Sequence, residues 1–209
     1  MMNNNVCKIC RRQGQKLFLK GEKCFSPKCP FIKRPYPPGI RKKRGRFNVS
    51  EYSKELSEKQ KLRNYYGLRE KQFAKHVKEA MAKGGRTGAT LFLISKLEGR
   101  LSNVVFKMGL ARSRREAREL VSHGHFLVND KPVNISSFNT KQGMKISLKP
   151  SKKDKTVFKN LIIAMKNYQA PSWLKVDFDK LEGEIVGQPS LEDVGLPVDI
   201  PSIFEFYSR

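Results

Sequence analysis

Four cysteines near the N-terminus constrain the fold of the first thirty residues more than any other feature of the sequence. Two residues separate Cys7 from Cys10, and four separate Cys24 from Cys29. Two short-range pairs of this kind bring two loops to one tetrahedral ion with four thiolate ligands. The pattern predicts one structural zinc ion, because four protein ligands leave no open position for a substrate. A segment this short also needs such a cross-link to fold.

The same cysteines would also serve as disulfides, as free buried thiols or as ligands of an iron–sulfur cluster. We expect reduced thiols in a cytoplasmic protein, because the N-terminal sequence lacks the apolar core of a secretory signal. No apolar stretch approaches the roughly 20 residues that a bilayer requires, so we expect no membrane association. Nothing else in the sequence indicates redox chemistry, which favours zinc over an iron–sulfur cluster.

Charge indicates the partner. The 209 residues contain 43 Lys and Arg against 19 Asp and Glu, a formal net charge of +24. The excess is concentrated at the N-terminal end, because residues 1–50 carry 14 basic and 1 acidic side chains whereas residues 151–209 carry 8 and 9. A surface this basic is typical of proteins that bind a polyanion, and with no membrane signal present the prediction is nucleic acid.

Two groups of basic residues are the main candidates for phosphate contact. The first is a run in a Pro-rich linker, at Arg41, Lys42, Lys43, Arg44 and Arg46. We expect an arm that becomes ordered on RNA; the alternative is a solvated charge run. The second group is Arg112, Arg114, Arg115 and Arg118, at the start of a predicted helix, where the helix dipole disfavours cations and favours a phosphate. An exposed basic face kept for solubility is the alternative.

Helical and alternating patterns predict an α+β fold. Residues 1–43 are expected to form a zinc knuckle and basic linker, and residues 44–96 a helical domain rejoined by a C-terminal helix at 198–209. Residues 97–197 are expected to form an inserted RNA-binding module with an antiparallel sheet, its core at 97–160.

Within the module, apolar spacing predicts a helix from Leu97 to Met108 that stops at Gly109. Ser113 and Glu116 form a capping box for the next helix, in which the glutamate reaches back to the serine N–H. A hairpin turning at Asn129-Asp130, a strand at 144–148, a helix at 156–169 and a strand at 174–178 follow. A second box, Ser202 with Glu205, predicts the last helix.

Two alternative roles are open for several histidine and aromatic side chains. His123 and His125 lack a third metal ligand nearby, so we expect a helix-end cap or an RNA contact. Tyr65, Tyr66 and Phe73 either stack on bases or belong to the core, and the core is favoured at these spacings.

The stretch 97–129 resembles the RNA-binding module named after small-subunit ribosomal protein four; its sequence is LEGRLSNVVFKMGLARSRREARELVSHGHFLVN. RNA-modifying enzymes and aminoacyl-tRNA synthetases share that module, so the segments outside it decide between these families. The segments 66–73, 85–88 and 205–209 resemble the same ribosomal family, and the four-cysteine N-terminus resembles its bacterial, zinc-bearing form. Gly99 and Ser102 depart from the family pattern and are expected to weaken the first module helix, Gly99 by up to ~1 kcal/mol.

The resemblance implies a structural, non-enzymatic constituent of the small ribosomal subunit. It would bind 5′-domain rRNA early in assembly, contact neighbouring ribosomal proteins and mRNA near the channel through which mRNA enters, and contribute to translational accuracy. No small-molecule substrate is expected.

Two other classes of function share some of these sequence features. An RNA-modifying enzyme or accessory RNA-binding factor would share the module, but no catalytic constellation and too little chain are present for an enzyme. A zinc-dependent DNA-binding regulator would not explain the match beyond the cysteines. The predicted RNA-contacting residues are Arg11, Arg12, Arg41, Lys42, Lys43, Arg44, Arg46, Lys61, Arg63, Lys71, Arg86, Arg100, Arg112, Ser113, Arg114, Arg115, Arg118 and His123.

Overall fold

The structure, a computed structural model, describes residues 6–39, 50–153, 158, 168–196 and 198–209, without the side chains of Arg86, Thr87 and Glu192. These residues belong to two units, one drawn from Met1–Thr90 and Pro197–Arg209 and the other from Leu91–Leu196. The division lies at Thr90, inside a helix, whereas the sequence placed the domain boundary at residue 96. The basic run 41–46 lies outside the described residues, as does most of the predicted helix 156–169.

The first unit is helical. Its helices, in chain order, are α1 Val6–Gln13, α2 Pro30–Lys33, α3 Glu51–Tyr65, α4 Glu70–Lys83, the start of α5 Arg86–Glu98, and a C-terminal helix, α9, at Ile200–Ser208. The helical character predicted for residues 44–96 is confirmed by α3, α4 and α5. α9 lies against α3 and α4, and its Ile200 and Ile203 are buried.

Helix α3 buries an unusual set of side chains. Its buried positions are Glu55, Lys59 and Leu62, at the i, i+4, i+7 spacing of a single helix face. Charged residues are almost never buried unless they are paired. This helix face therefore has to be satisfied by partners from other helices.

The second unit combines helices with one antiparallel sheet. Its elements are the end of α5, α6 Leu101–Lys107, α7 Arg114–Ser122, β1 Phe126–Val128, β2 Lys131–Pro132, β3 Lys145–Leu148, β4 Leu174–Asp177, β5 Glu182–Ile185 and α8 Leu191–Val194. The strand order is β2-β1-β3-β5-β4. Helices and an antiparallel sheet confirm the predicted α+β class.

An apolar core fixes the helices against the sheet. α6 contributes Leu101, Val104 and Val105, and α7 contributes Ala117, Leu120 and Val121, all of them buried. From the sheet side come Phe126, Val128, Ile146, Leu148, Leu174 and Ile185. The period-3.6 and period-2 patterns of the sequence thus meet in one core, which holds α7 in a fixed position.

The hairpin turn is built as the sequence predicted. Asn129 and Asp130 have φ of 47° and 63°, so both central residues of the turn are left-handed, as in a type I′ turn. The Asn129 side chain accepts a hydrogen bond from Lys145 N at 2.9 Å, which ties the turn to β3. Strand β2 is shorter than expected, Lys131–Pro132 instead of a strand reaching Ile135.

The helix predicted from Leu97 to Met108 begins later in the structure than the sequence indicated. α5 ends at Glu98 and α6 begins at Leu101, so residues 97–108 do not form a single helix. Gly99 lies in the break and accepts hydrogen bonds from the N–H and the hydroxyl of Thr140, at 2.7 and 2.8 Å. A Cβ at Gly99 would lie 2.8 Å from Ser95 O, so glycine is required by close packing and does not weaken a helix interior.

The last helix also begins differently from the prediction. The residue preceding α9 is Asp199, and Pro201 occupies its first turn. The hydroxyl of Ser202 donates to the Asp199 carboxylate, so Ser202 is not an N-cap and the predicted box with Glu205 is absent. Among the described residues, no helix has both the length and the apolar character needed to cross a bilayer.

Candidate RNA-binding surface and cysteine cluster

Helix α7 carries the arginines that the sequence singled out, and its start is held by two caps. The Ser113 hydroxyl accepts from Glu116 N at 3.2 Å, which confirms half of the predicted capping box. The Glu116 carboxylate, however, accepts from the backbone N–H of Arg112 at 2.7 Å and not from that of Ser113. The cap therefore also fixes the turn that precedes the helix.

A buried polar chain supports one of these arginines. Glu98 is fully buried, and its Oε2 accepts from Asn103 Nδ2 at 2.6 Å. Asn103 Oδ1 in turn accepts from Arg114 Nε at 2.9 Å, and the Arg114 guanidinium lies 4.6 Å from the ring centroid of Phe106. α6 thus orients a guanidinium of α7, as a bidentate phosphate ligand requires.

Arg100 and Arg118 form the most unusual electrostatic feature of the second unit. Arg100, the N-cap of α6, is only 5% exposed. Burial, which is the larger cause, and the nearby positive charge of Arg118 together lower its pKa to about 10. Burial also lowers the pKa of Arg118. In the described residues Arg100 has no ion pair with a carboxylate, so the two guanidiniums form a partly dehydrated cationic site suited to an anion.

The remaining predicted contacts of this unit lie nearer to solvent. Arg112 and His123 are exposed. Arg115 Nε donates to Glu119 Oε1 at 3.3 Å within α7, and such an exposed pair leaves the guanidinium available at little cost. His125 is buried, with its ring centroid 5.6 Å from that of Phe158. The two histidines therefore have different environments, one exposed and one in the core.

Several basic residues predicted to contact RNA are engaged inside the first unit. Arg11 Nε donates to the carbonyl oxygens of Arg34 and Tyr36 at 3.0 and 2.9 Å. Lys61 pairs with Glu58. Arg63 Nη1 donates to Glu70 Oε2 at 2.9 Å. The charges of Arg11, Lys61 and Arg63 thus stabilise the protein's own helices.

Glu70 is the centre of that internal network. Its Oε1 accepts from Lys59 Nζ at 2.8 Å and from the Tyr207 hydroxyl at 2.9 Å. Lys59 Nζ also lies 4.4 Å from the ring centroid of Phe206. Burial raises the pKa of Glu70, but the hydrogen bonds from Lys59 and Tyr207 outweigh it and the net pKa is lowered. This cluster, Lys59–Arg63–Glu70–Tyr207, joins α3, α4 and α9.

Other predicted contacts in the first unit remain accessible or lie outside the described residues. Arg12 and Lys71 are exposed. Arg86 begins α5, and its side chain lies outside the description. The arm residues Arg41, Lys42, Lys43, Arg44 and Arg46 lie outside the described residues. Phe73 is fully buried and Tyr66 is 3% exposed, so both belong to the core.

The cysteines lie in the α1–α2 region of the first unit. Cys10, Cys24 and Cys29 are buried, and all four are free thiols. Burial raises the pKa of Cys10 while the Leu17 N–H lowers it, and the charges of Cys24, Cys7 and Cys29 raise it again. The backbone N–H of Lys20 donates to Cys24 Sγ at 3.3 Å. Buried sulfurs with amide donors fit the donor chemistry of a thiolate site.

The residues that the structure describes do not show the predicted metal site. Over the described parts of the chain, no three His, Cys, Asp or Glu side chains are grouped so that they could hold a metal ion. Zinc binding therefore stays a prediction. The cysteine segment is attached to α3 through Gln13, which accepts from the Ser57 hydroxyl at 3.1 Å and donates to Gln60 Oε1 at 3.2 Å.

Sequence reasoning missed the supports of the arginines. Asn103 stands among the apolar positions 101, 104, 105 and 108 of α6, and a lone polar residue beside a buried face was the available signal. The pairing of Arg63 with Glu70 had no such signal, because it joins two helices whose packing the sequence does not specify.

Comparison with known proteins covers both units. Residues 2–98 match the family model described as "Ribosomal protein S4/S9 N-terminal domain", and residues 99–146 match the S4 domain. The boundary between the two models thus falls in the break between α5 and α6.

Curated relatives extend the match to nearly the whole chain. The chain is 47% identical over 204 residues to the small ribosomal subunit protein uS4 of Kosmotoga olearia, which covers 98% of this chain and 97% of the relative. It is 46% identical to that of Thermotoga petrophila and 42% identical to that of Thermus thermophilus, at the same coverage of both chains.

These identities confirm the resemblance to the small-subunit ribosomal family and the expectation of a ribosomal protein instead of an enzyme. The chain belongs to the uS4 family of small ribosomal subunit proteins.

Proposed function

We propose that this protein is a structural component of the small ribosomal subunit that binds rRNA without catalysing a reaction. The observation that carries the proposal is the match to uS4 proteins over 98% of the chain. The net charge of +24 supports it, because neutralising phosphates and releasing their counterions supplies much of the affinity for RNA.

The α7 surface is the principal RNA contact in this proposal; we define it as Arg100, Arg112, Ser113, Arg114, Arg115, Arg118 and His123. Burying Arg100 beside Arg118 opposes folding unless an anion compensates, and a phosphate between the two guanidiniums would do so. Arg114 is already oriented by Asn103. The pre-set geometry lowers the entropic cost of binding.

The first unit contributes a second, sparser set of contacts. Arg12 and Lys71 are exposed, and the segment 41–46 supplies five basic residues as the expected arm. Because Lys61 and Arg63 are occupied by Glu58 and Glu70, they belong to the protein's internal stabilisation in this proposal. Recognition depends on folded RNA shape, since side chains do not read the deep groove of an A-form helix.

Cys7, Cys10, Cys24 and Cys29 would hold one zinc ion that fixes the fold of the N-terminal segment. Support comes from their spacing, from the burial of three of them and from the amide donors at Cys10 and Cys24. The ion would act structurally, stabilising the α1–α2 region against α3.

The rRNA domain, the partners and the role in translation that we propose are those that the family resemblance implies. The RNA is the 5′ domain of small-subunit rRNA, bound early in assembly in the cytoplasm, with neighbouring ribosomal proteins and mRNA at its entrance channel as further partners. A contribution to translational accuracy belongs to the same proposal.

RNA binding is tested with a 5′-domain rRNA transcript and an unrelated structured RNA of equal length, in filter-binding titrations over a salt series. A preference for the rRNA that persists at high salt is expected. Replacing Arg112 and Arg115 by alanine should reduce the slope of log K against log salt by about 1 to 2. The matched control replaces Lys175 and Lys180, which are exposed at the far strand of the same unit. Equal affinity for both RNAs would reject the proposal.

Zinc is tested by metal analysis of the purified protein and of a Cys10→Ser, Cys24→Ser variant. One zinc per chain is expected in the parent and none in the variant, with loss of α1 protection from hydrogen exchange. A Cys→Ser variant that folds identically, together with a metal-free parent, would reject the site.

A further inference from the structure

A polar cavity on the second unit is lined by residues that do not belong to the α7 surface, although Arg100 of that surface forms a β-bridge with the wall residue Asn139. Its volume is about 220 Å³, and it lies where the end of α5 faces the loops before β3 and after β5. The residues that give it chemical character are Phe92, Lys96, Asn139, Lys141, Trp173 and Gln188.

The wall of this cavity is cationic and rich in hydrogen-bonding amides. Lys96 and Lys141 contribute positive charge, and Asn139 and Gln188 contribute amide donors and acceptors. Among the described residues that line the cavity there is no carboxylate. Such a wall suits a ligand that carries both a negative charge and a polar, uncharged edge.

Aromatic rings provide the apolar part of the wall. Lys96 Nζ lies 5.7 Å from the ring centroid of Phe92, which places the ammonium beside an aromatic surface. Trp173 is 3% exposed, and its indole Nε1 is a buried donor without a hydrogen-bond partner in the described part of the chain. Buried indole N–H groups usually find an acceptor, and a ligand in the cavity that Trp173 lines would be a source of one.

The cavity is held by a firm frame. The Thr140 hydroxyl donates to Gly99 O at 2.8 Å, and Gln142 Nε2 donates to Val186 O at 2.6 Å, which joins the loops on either side. A Cβ added at Gly187 would lie 3.7 Å from Trp173 Cβ, an ordinary van der Waals contact. The site is therefore formed in the protein without a ligand.

We propose that this cavity receives one unstacked RNA base, with the adjoining phosphate held by Lys96 and Lys141. The volume lies below the roughly 300–1,000 Å³ of sites for larger ligands, so it fits a single base and not a whole nucleotide with its sugar. Unstacked bases are read through aromatic contacts and hydrogen bonds to their edges, which Phe92, Trp173, Asn139 and Gln188 provide. The inference rests on the proposed RNA-binding function and adds to it a contact that reads a base.

Trp173 makes the inference directly testable, because it is the single tryptophan of the chain. The full-length protein is titrated with single-stranded pentamers of adenosine or uridine, with adenosine monophosphate, and with the 5′-domain transcript. We expect saturable quenching of Trp173 emission by the pentamers and the transcript. Asn139→Ala with Gln188→Ala should weaken the apparent affinity in this titration about tenfold, because it removes the amides that hydrogen-bond to the edge of the base.

Lys131→Ala is the matched control, since Lys131 is exposed on β2 and does not line the cavity. Its quenching curve should coincide with that of the parent protein.

The other outcomes separate this inference from the ribosomal assignment. Transcript binding that saturates with unchanged Trp173 emission overturns the base site and leaves the RNA-binding function intact. Quenching by adenosine monophosphate with none by RNA also overturns it, in favour of a free-nucleotide site. Failure to prefer the transcript over control RNA rejects the proposed function itself.

Discussion

The two units of the protein use their cations in opposite ways. In the first unit Lys59 and Arg63 converge on Glu70, so positive charge holds helices together. In the second, Arg100 is buried beside another arginine, with no carboxylate paired to it in the described residues. The comparison shows that a net charge of +24 does not measure the RNA-binding surface. What matters is which cations the fold has already neutralised.

The largest expected effect is the loss of the internal network. Glu70→Ala leaves Lys59, which is 8% exposed, without its carboxylate, and should lower the free energy of unfolding by about 2–3 kcal/mol. Urea unfolding followed by circular dichroism measures it. Glu79→Ala on the same helix is the control, because its 4.0 Å pair with Lys75 is partly exposed and should be worth under about 0.5 kcal/mol. Equal losses in both variants would remove the contrast between the units.

The opposite behaviour is expected of the second unit. Arg100→Met removes a buried cation, so the free energy of unfolding should stay unchanged or rise by about 1 kcal/mol. Affinity for the 5′-domain transcript should fall roughly tenfold, because a charge-assisted contact to phosphate is lost. Arg63→Met should do the reverse, destabilising the protein with RNA affinity within about twofold. An Arg100→Met variant that loses stability but binds RNA normally would show that Arg100 is structural.

A smaller effect tests the hairpin that completes the second unit's sheet. Asp130 has a φ of 63°, which costs an L-residue about 1–2 kcal/mol and glycine little. Asp130→Gly should therefore raise the free energy of unfolding by up to about 1 kcal/mol. Lys131→Gly, next to the turn but in β2, is expected to be destabilising. Thermal unfolding of both variants measures these changes. An Asp130→Gly variant that is no more stable than the parent would mean that the side chains of the turn already relieve the backbone strain.

The smallest effect concerns pH. The pKa of Glu70 is lowered in the folded protein, so its contribution to stability is present above the ordinary glutamate pKa and is lost as pH falls through the folded value. Glu70→Gln should therefore differ from the parent at pH 7 and converge with it in acid. We expect a difference under about 1 kcal/mol, since the side chain is 42% exposed. Urea midpoints between pH 7 and 3 measure it; curves that stay parallel would mean that charge at Glu70 is immaterial.

Local signals in the sequence were sufficient for many elements. Ser113 was predicted as a cap and accepts the hydrogen bond expected of it, and Asn129-Asp130 forms the predicted turn. Both depend on neighbours within three residues. Strand β5 was missed because Gly183 occupies one of its inward positions, where the alternation of apolar residues would have shown it.

Contacts between residues far apart in the chain could not be predicted from the sequence. Nothing local distinguishes Arg63, which pairs with Glu70 on another helix, from Arg115, which pairs with Glu119 on its own helix. Gly99 looked like a weak helix residue because Thr140, which donates to its carbonyl oxygen in the break between α5 and α6, is 41 residues away. The family assignment could be made from the sequence because it rests on the linear pattern itself. The cavity of the second unit could not be predicted, since its walls come from four separate stretches of chain.

The packing of α9 on α3 has a consequence for how the protein folds as it is made. Arg209 Nη2 donates to Glu55 Oε1 at 2.7 Å, and Tyr207 completes the shell around Glu70, so the first unit needs residues from both ends of the sequence. The second unit is continuous, from Leu91 to Leu196. During translation the second unit can therefore finish folding first. The charged side chains of α3 that are buried in the folded protein stay exposed to solvent until α9 has left the ribosome.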